Sequence, residues 1–284
     1  MNIKNKNLFV IYPEFQDAYL HVCDIGEKYI ADKKIVITGI CRNVGHCLEK
    51  NIAELDSFAK YGPKINYFVY ENDSTDDTKN ILSKLGSNDR FKFISQDLSL
   101  PQFGSLKSLE RTSNLAKHRN QCLEYIKQHH NNTDFVIVVD LDFNKISING
   151  LLHSFGIFSQ NYPFIDAIAG NSFQIKKHES DGQQNIWNYD CWAYRGNWWN
   201  DLYQYPEHNM FDPMLWFGLW HPLIGSLPAK VNSAFGGCCI YKTQKYILGK
   251  YEGYDCEHVC FHKYLSKNHG LNLFLNPAQI MLFT

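Results

Sequence analysis

What most constrains this chain is an alternation of texture between about residues 34 and 171. Short β-branched or aromatic runs at 35–40, 65–70, 91–95, 135–139 and 165–169 are separated by polar stretches with apolar residues at helical spacing. Leu48, Ile52, Leu55, Phe58 and Ala59 form one such set; Leu115, Arg119, Cys122, Leu123 and Ile126 form another. Strands alternating with helices predict an α/β fold with a mostly parallel open sheet. The run FVIVV at 135–139 is apolar throughout, as in a central strand covered on both faces. Such sheets bind ligands at the carboxyl ends of their strands. Polar residues gather there: Thr38, Arg42 and Asn43 around the first end, Glu71, Asn72 and Asp73 at the second, Asp140 and Asp142 at the fourth.

Beyond residue 171 the texture changes. All six tryptophans (Trp187, Trp192, Trp198, Trp199, Trp216 and Trp220) fall in one stretch, broken by Pro206 and Pro213. A strand-like AFGGCCIY at 234–241 follows, then helical patterns near 243–248 and 255–267 and apolar runs at 271–275 and 280–283. The absence of an obvious linker favours one domain over 1–284, with halves at about 30–150 and 151–284.

Composition excludes several function classes. With 28 Lys+Arg against 29 Asp+Glu, the chain lacks the basic surplus of a polymeric nucleic-acid binder. No apolar stretch reaches the roughly 20 residues of a membrane span. The apolar run at 8–11 stops at Tyr12 and Pro13, too soon for a secretory signal. Nine cysteines without a CxxC pair fit free thiols in a reducing compartment. A soluble cytoplasmic protein is expected; oligomeric state is not readable.

Three motifs carry chemistry. In VVDLDF (138–143), two carboxylates flank one residue where a buried strand ends. Buried charges need partners, and a hard Mn²⁺ or Mg²⁺ that shares its shell with phosphate and water suits them; a solvated strand-end turn is the plain alternative. In YENDSTDDT (70–78), Ser74 to Thr78 can cap a helix, whereas Glu71, Asn72 and Asp73 stand where a nucleobase or ribose is hydrogen-bonded. Arg119, on the helix before the D-x-D strand, can reach a diphosphate or sit on a solvated basic face.

In that order, ENDSTDDT, LAKHRN and VVDLDF resemble the GT-A type nucleotide-sugar glycosyltransferases. The wording is nearest to the fungal capsule mannosyltransferase-like family and to glycosyltransferases of large algal viruses. The likeness is close over roughly 34–145. It continues more loosely to Gly236 and Gly237, similar to the glycine loop facing donor and acceptor, and to Asp255-Cys256-Glu257-His258, similar to the acidic motif of the catalytic base. The resemblance implies a metal-dependent transfer from a nucleotide-diphosphate sugar to a glycan hydroxyl. Asp140 and Asp142 would hold the cation; Thr38, Arg42, Glu71, Asn72 and Asp73 would bind the nucleoside, with Arg119 and Asp140 at the diphosphate. An inverting reaction needs a carboxylate base, Glu257 before Asp255, although helix-end capping also favours acids there. His258 and His262, four apart, are a satisfied structural pair or include one extra metal ligand. Aromatic faces pack on sugar rings, and Trp198 and Trp199, beside Asn197 and Asn200, are the acceptor candidates.

The viral likeness suggests a UDP-sugar such as UDP-xylose, with GDP-mannose next. Two other classes compete. A sugar-phosphate nucleotidyltransferase would carry a Gly-rich basic loop after the first strand, which TGICRNVGH (38–46) lacks. A non-catalytic carbohydrate-binding protein suits the tryptophans but not the intact acids.

Overall fold

A computed structural model describes residues 9–104, 108–161, 164–177, 184–197, 199 and 222–284. Helix α1 (Gln16–Ile30) leads into strand β1 (Lys34–Cys41). Then α2 (Leu48–Asp56), β2 (Lys64–Asn72), α3 (Thr78–Leu85), β3 (Phe91–Gln96), α4 (Leu109–His129) and β4 (Phe135–Val139) alternate strictly. There follow β5 (Lys145–Ile146), α5 (Ile148–Asn161), β6 (Ala167–Ala169), β7 (Phe173–Lys177) and β8 (Gln184–Asn188). The last described stretch holds β9 (Ala229–Val231), β10 (Cys238–Lys242), α6 (Thr243–Tyr246), α7 (Glu257–His269), β11 (Leu273–Leu275) and β12 (Met281–Phe283).

Eight strands form one sheet in the order 3-2-1-4-10-6-11-9. The first four are parallel: β1 pairs with β2 from Lys34↔Lys64 to Cys41↔Glu71, and with β4 from Ile35↔Phe135 to Thr38↔Val138. β10 runs antiparallel against β4, with Cys238 opposite Val139. The chain winds outward from β1 to β2 and β3, then crosses through α4 to β4 on the other side. β1 and β4 therefore flank the switch point where open sheets bind ligands. A second sheet in the order 5-12-7-8 brings the end of β8 back towards that corner.

All five residues of β4 are buried, as FVIVV predicts. Two helices escape the alternation. α1 buries Tyr19, Cys23, Gly26 and Ile30 along one stripe, and α5 is buried without interruption from 150 to 158, which erases its period. They touch backbone to backbone: a Cβ on Gly26 would stand 1.9 Å from the Leu152 carbonyl oxygen, and one on Gly156 2.1 Å from that of Val22. The run at 234–241 becomes a strand only from Cys238, because Gly236 and Gly237 turn the chain at φ 58° and 74°. No helix among the described residues is long and apolar enough to cross a membrane, and none of the nine cysteines is in a disulfide.

Candidate active site

A cavity of about 360 Å³ opens at the carboxyl ends of β1, β2 and β4, lined among others by Arg42, Asn72, His118, Arg119, Asp140 and Asp142. That is a usual size for a small-molecule site. Its D-x-D end is held by backbone. The Asp140 N–H donates to the Gly237 carbonyl at 2.8 Å. Buried Asn51 of α2 donates to the carbonyls of Leu141 (2.9 Å) and Phe143 (2.6 Å). Leu141 is 2% exposed, so its burial turns both flanking aspartates outward to the cavity.

Each oxygen of Asp140 is engaged: Arg119 Nη2 donates to Oδ1 (3.2 Å) and the Tyr189 hydroxyl to Oδ2 (3.1 Å). Burial pushes the Asp140 carboxyl up to about 6, against the pull of Arg119, and Asp142 adds to the rise. Asp142 is raised as well, again by burial.

Arg119 does more than the sequence suggests. It is 5% exposed, its guanidinium lies 5.1 Å over the Phe235 ring, and its Nε donates to Glu257 Oε1 at 2.9 Å. It thus ties the D-x-D strand to the first residue of α7, where a carboxylate is favoured by the helix dipole. Its Nη1 has no hydrogen-bond partner among the described residues. Glu257 lines the cavity and Asp255 does not: Arg195 Nη2 takes both Asp255 oxygens (3.0 and 2.9 Å). His258 stacks on Phe235 with centroids 3.6 Å apart. Neither of its ring nitrogens has a hydrogen-bond partner among the described residues, and burial, then Arg119 and His262, lowers its pKa well below the ordinary value. His262 is satisfied by the hydroxyls of Ser233 (2.8 Å) and Tyr241 (2.7 Å), so it is structural.

The nucleoside-side candidates divide. Arg42 and Asn72 line the cavity; Thr38, Glu71 and Asp73 do not. Thr38 is enclosed within β1 at 1% exposure. Glu71 is wholly buried and accepts from the Ser74 N–H (2.7 Å) and the Ser95 hydroxyl. Asp73, at φ 54°, accepts from the N–H groups of Leu98 (2.6 Å) and Ser99 (2.7 Å). Burial opposes its charge, but these bonds and one from Asn72 hold it below the usual range. The acidic cluster therefore shapes the loops behind the cavity. On the acceptor side, Trp198 lies outside the described residues, Trp199 packs against the core, and Gly236 and Gly237 flank the cavity through Phe235 and the Asp140 bond without lining it. Asp190, from the turn after β8, and His118, which stacks on Tyr70 at 5.1 Å, line the cavity without any signal in the sequence; Tyr189 and Trp192, from the same turn, stand out there only as members of the aromatic stretch.

A hard cation fits the D-x-D end. Asp140, Asp142, Asp190 and Glu257 all line this cavity. Arg119 is the one arginine or lysine within ion-pair distance of any of them among the described residues. Four carboxylates around one cavity against one guanidinium leave an excess of negative charge that a further positive partner would offset. No three His, Cys, Asp or Glu side chains among the described residues form a complete ligand group. Asp140 and Asp142 would thus supply one or two ligands, with phosphate and water completing the shell.

A family model described as Cryptococcal mannosyltransferase 1 matches residues 34–267. Among solved structures, the mannosyltransferase PcManGT from Pyrobaculum calidifontis, in complex with GDP-Man and Mn²⁺, is 10% identical at a TM-score of 0.51, over 97% of this chain and 68% of that one. A mycobacterial protein is 11% identical at 0.52, over 93% and 71%. GalNAc-T7 with UDP, GalNAc and Mn²⁺ is 13% identical at 0.54, over 96% of this chain and 53% of that one, so this chain spans about half of it. At these identities the likeness is one of fold, and it agrees with the GT-A α/β architecture. No curated protein sequence matches.

Proposed function

The chain belongs to the Cryptococcal mannosyltransferase 1 family, and from that premise we propose that it transfers mannose from GDP-mannose to a glycan hydroxyl, with Mn²⁺ or Mg²⁺ at the diphosphate. It is a glycosyltransferase, which sets aside the nucleotidyltransferase and non-catalytic readings. The family name favours mannose over the xylose suggested by the viral likeness, for which there is no support. The neighbours crystallised with Mn²⁺ favour the metal.

The observation that carries the reading is the meeting of Asp140, Arg119 and Glu257, from β4, α4 and α7, at the floor of one cavity. The cation supplies charge to stabilise the leaving diphosphate. Asp140 and Asp142 hold it, and Tyr189 and Arg119 orient Asp140. Arg119 positions both carboxylates through Nε and Nη2, and its Nη1, without a partner among the described residues, is left to donate to the diphosphate. Arg42, Asn72 and neutral His118, whose pKa burial lowers to about 4, form the nucleoside end. Thr38, Glu71 and Asp73 support it from behind. Glu257 faces the acceptor hydroxyl, and residues 151–284 supply the acceptor side.

Binding of GDP-mannose, followed calorimetrically with Mn²⁺ and with EDTA, tests this. Binding that needs the metal and is lost in Asp142→Ala is the expected result; metal-independent binding that survives the substitution overturns it.

A further inference from the structure

Asp190 is a carboxylate in this cavity whose side chain is tied to the fold by one long hydrogen bond among the described residues. It follows β8 and opens the short turn of helix at Cys191–Ala193. Its backbone lies in the left-handed region, at φ 63° and ψ 34°, which costs a non-glycine residue free energy. Its side chain makes no capping bond to the turn that follows. It accepts from the Gly236 N–H at Oδ2, at a long 3.3 Å.

Three acids nearby have guanidinium partners: Asp140 and Glu257 have Arg119, and Asp255 has Arg195; Asp142, the second D-x-D carboxylate, is left for the cation. Among the described residues Asp190 has none. Burial, followed by the charges of Asp140 and Glu257, pushes its carboxyl well above the ordinary range. A residue kept in a strained conformation, in a costly electrostatic setting and without a guanidinium partner, has its partner elsewhere.

The chemistry narrows that partner. Asp190 and the two D-x-D carboxylates do not form a metal-binding group among the described residues. A carboxylate repels phosphate, so its ligand is not the diphosphate. It accepts strongly from hydroxyls, and the half-buried Trp192 lines the same cavity, a setting suited to a sugar. Position selects which sugar. Tyr189, the preceding residue, donates to Asp140. Gly236, which donates to Asp190, adjoins Gly237, whose carbonyl accepts from the Asp140 N–H. Asp190 is therefore tied on two sides to the D-x-D residue that, in the function proposed above, adjoins the diphosphate.

Resting on that reading, we infer that Asp190 binds a hydroxyl of the transferred sugar through its carboxylate and so helps to select the donor sugar. The acceptor needs no part in this contact, so binding alone tests it.

The full chain, with Mn²⁺ and without acceptor, is titrated with GDP and with GDP-mannose, as wild type and as Asp190→Asn and Asp190→Ala. The isosteric Asn variant keeps the test valid where Ala fails to fold. A lost charge-assisted hydrogen bond is expected to weaken GDP-mannose about ten- to a hundredfold and to leave GDP within about twofold, a split that a merely structural role would not produce. One member of a deoxy-mannose series of donors should bind wild type with the same loss and lose nothing further in Asp190→Asn. Equal weakening of GDP and GDP-mannose, or unchanged GDP-mannose binding, overturns the inference. Wild type that binds neither nucleotide overturns the function itself. Wild type that prefers another nucleotide sugar overturns the donor assignment, and the same comparison on that sugar then decides Asp190.

Discussion

Arg119 and Glu257 share a buried ion pair 2.9 Å long that joins the middle of α4 to the first residue of α7. Both side chains are almost fully enclosed, at 7% and 5% exposure, and Arg119 also serves Asp140. Removing the guanidinium takes the charge partner from Glu257 and leaves Asp140 with the Tyr189 hydroxyl, so Arg119→Met should lower the unfolding free energy by about 3–5 kcal/mol. Adding Glu257→Gln to Arg119→Met should recover part of that loss, because one of the stranded charges is gone. Urea denaturation of the two single variants and the double variant measures the coupling. A loss in Arg119→Met below about 1 kcal/mol, the scale of an exposed pair, would contradict the buried bridge.

Asn51 never touches the cavity, yet its amide holds the carbonyls on both sides of Asp142. Asn51→Ala leaves two carbonyls short of a donor in a site with no exposure. A stability loss of about 2–4 kcal/mol is expected from these two bonds. The D-x-D turn should loosen too, so Mn²⁺-dependent donor binding should weaken in protein that remains folded. Chemical denaturation and calorimetry on the same preparation check both halves.

The first four strands and the D-x-D corner are legible in the sequence because one physical cause writes both. A strand covered on two faces must be apolar throughout, and the first charged residues after it mark its end; Asp140 and Asp142 follow FVIVV directly. Glu71 and Asp73 mislead because their acidity reads equally as ligand or as loop support. Only the distances to Ser74, Ser95, Leu98 and Ser99 separate the two. Tyr189 and Asp190 are illegible because their place depends on the second sheet, where Tyr189 stacks on Phe283 at 3.7 Å, a contact across 94 positions of chain that no local pattern records. α5 hides for the opposite reason: burial on every side leaves no polar face.

His153 on α5 gives a pH test remote from the cavity. It is 4% exposed, stacks on Tyr19, and lies with Nδ1 3.1 Å from the Asn276 amide nitrogen. Burial lowers its pKa from 6.5 to about 4, although Asn276 works against that fall. The unfolded chain therefore takes up a proton below about pH 6.5 that the folded protein refuses until about pH 4. The stabilising contribution is complete above that range and falls away as pH drops through it. Between pH 7.5 and 5 the wild type should lose roughly 2 kcal/mol through this group. His153→Gln is expected to be less stable at neutral pH but to lack that part of the decline. Parallel unfolding curves for wild type and variant across this range would show that His153 titrates normally in the fold.

Asp255 and Glu257 are two residues apart and chemically alike, but their partners assign them different work. Asp255 receives both hydrogen bonds from Nη2 of Arg195, which is 2% exposed, and it does not line the cavity. Its loss takes the opposite charge from a buried guanidinium whose Nη1 still donates to the carbonyls of Trp192 (2.7 Å) and Tyr194 (2.9 Å). Asp255→Ala should therefore lower stability by about 3–5 kcal/mol, with KM and kcat near wild type in whatever fraction stays folded. Asp255→Asn keeps the shape and should lose less. Glu257 lines the cavity, and Glu257→Gln retains an oxygen for Arg119 to donate to. That variant should stay folded while kcat drops by about a hundredfold or more, the usual contribution of a positioned acid or base. Steady-state kinetics on protein whose folded fraction is known from its melting curve separates the two. Loss of turnover without loss of stability in Asp255→Asn, with turnover kept in Glu257→Gln, would assign the base to Asp255 instead.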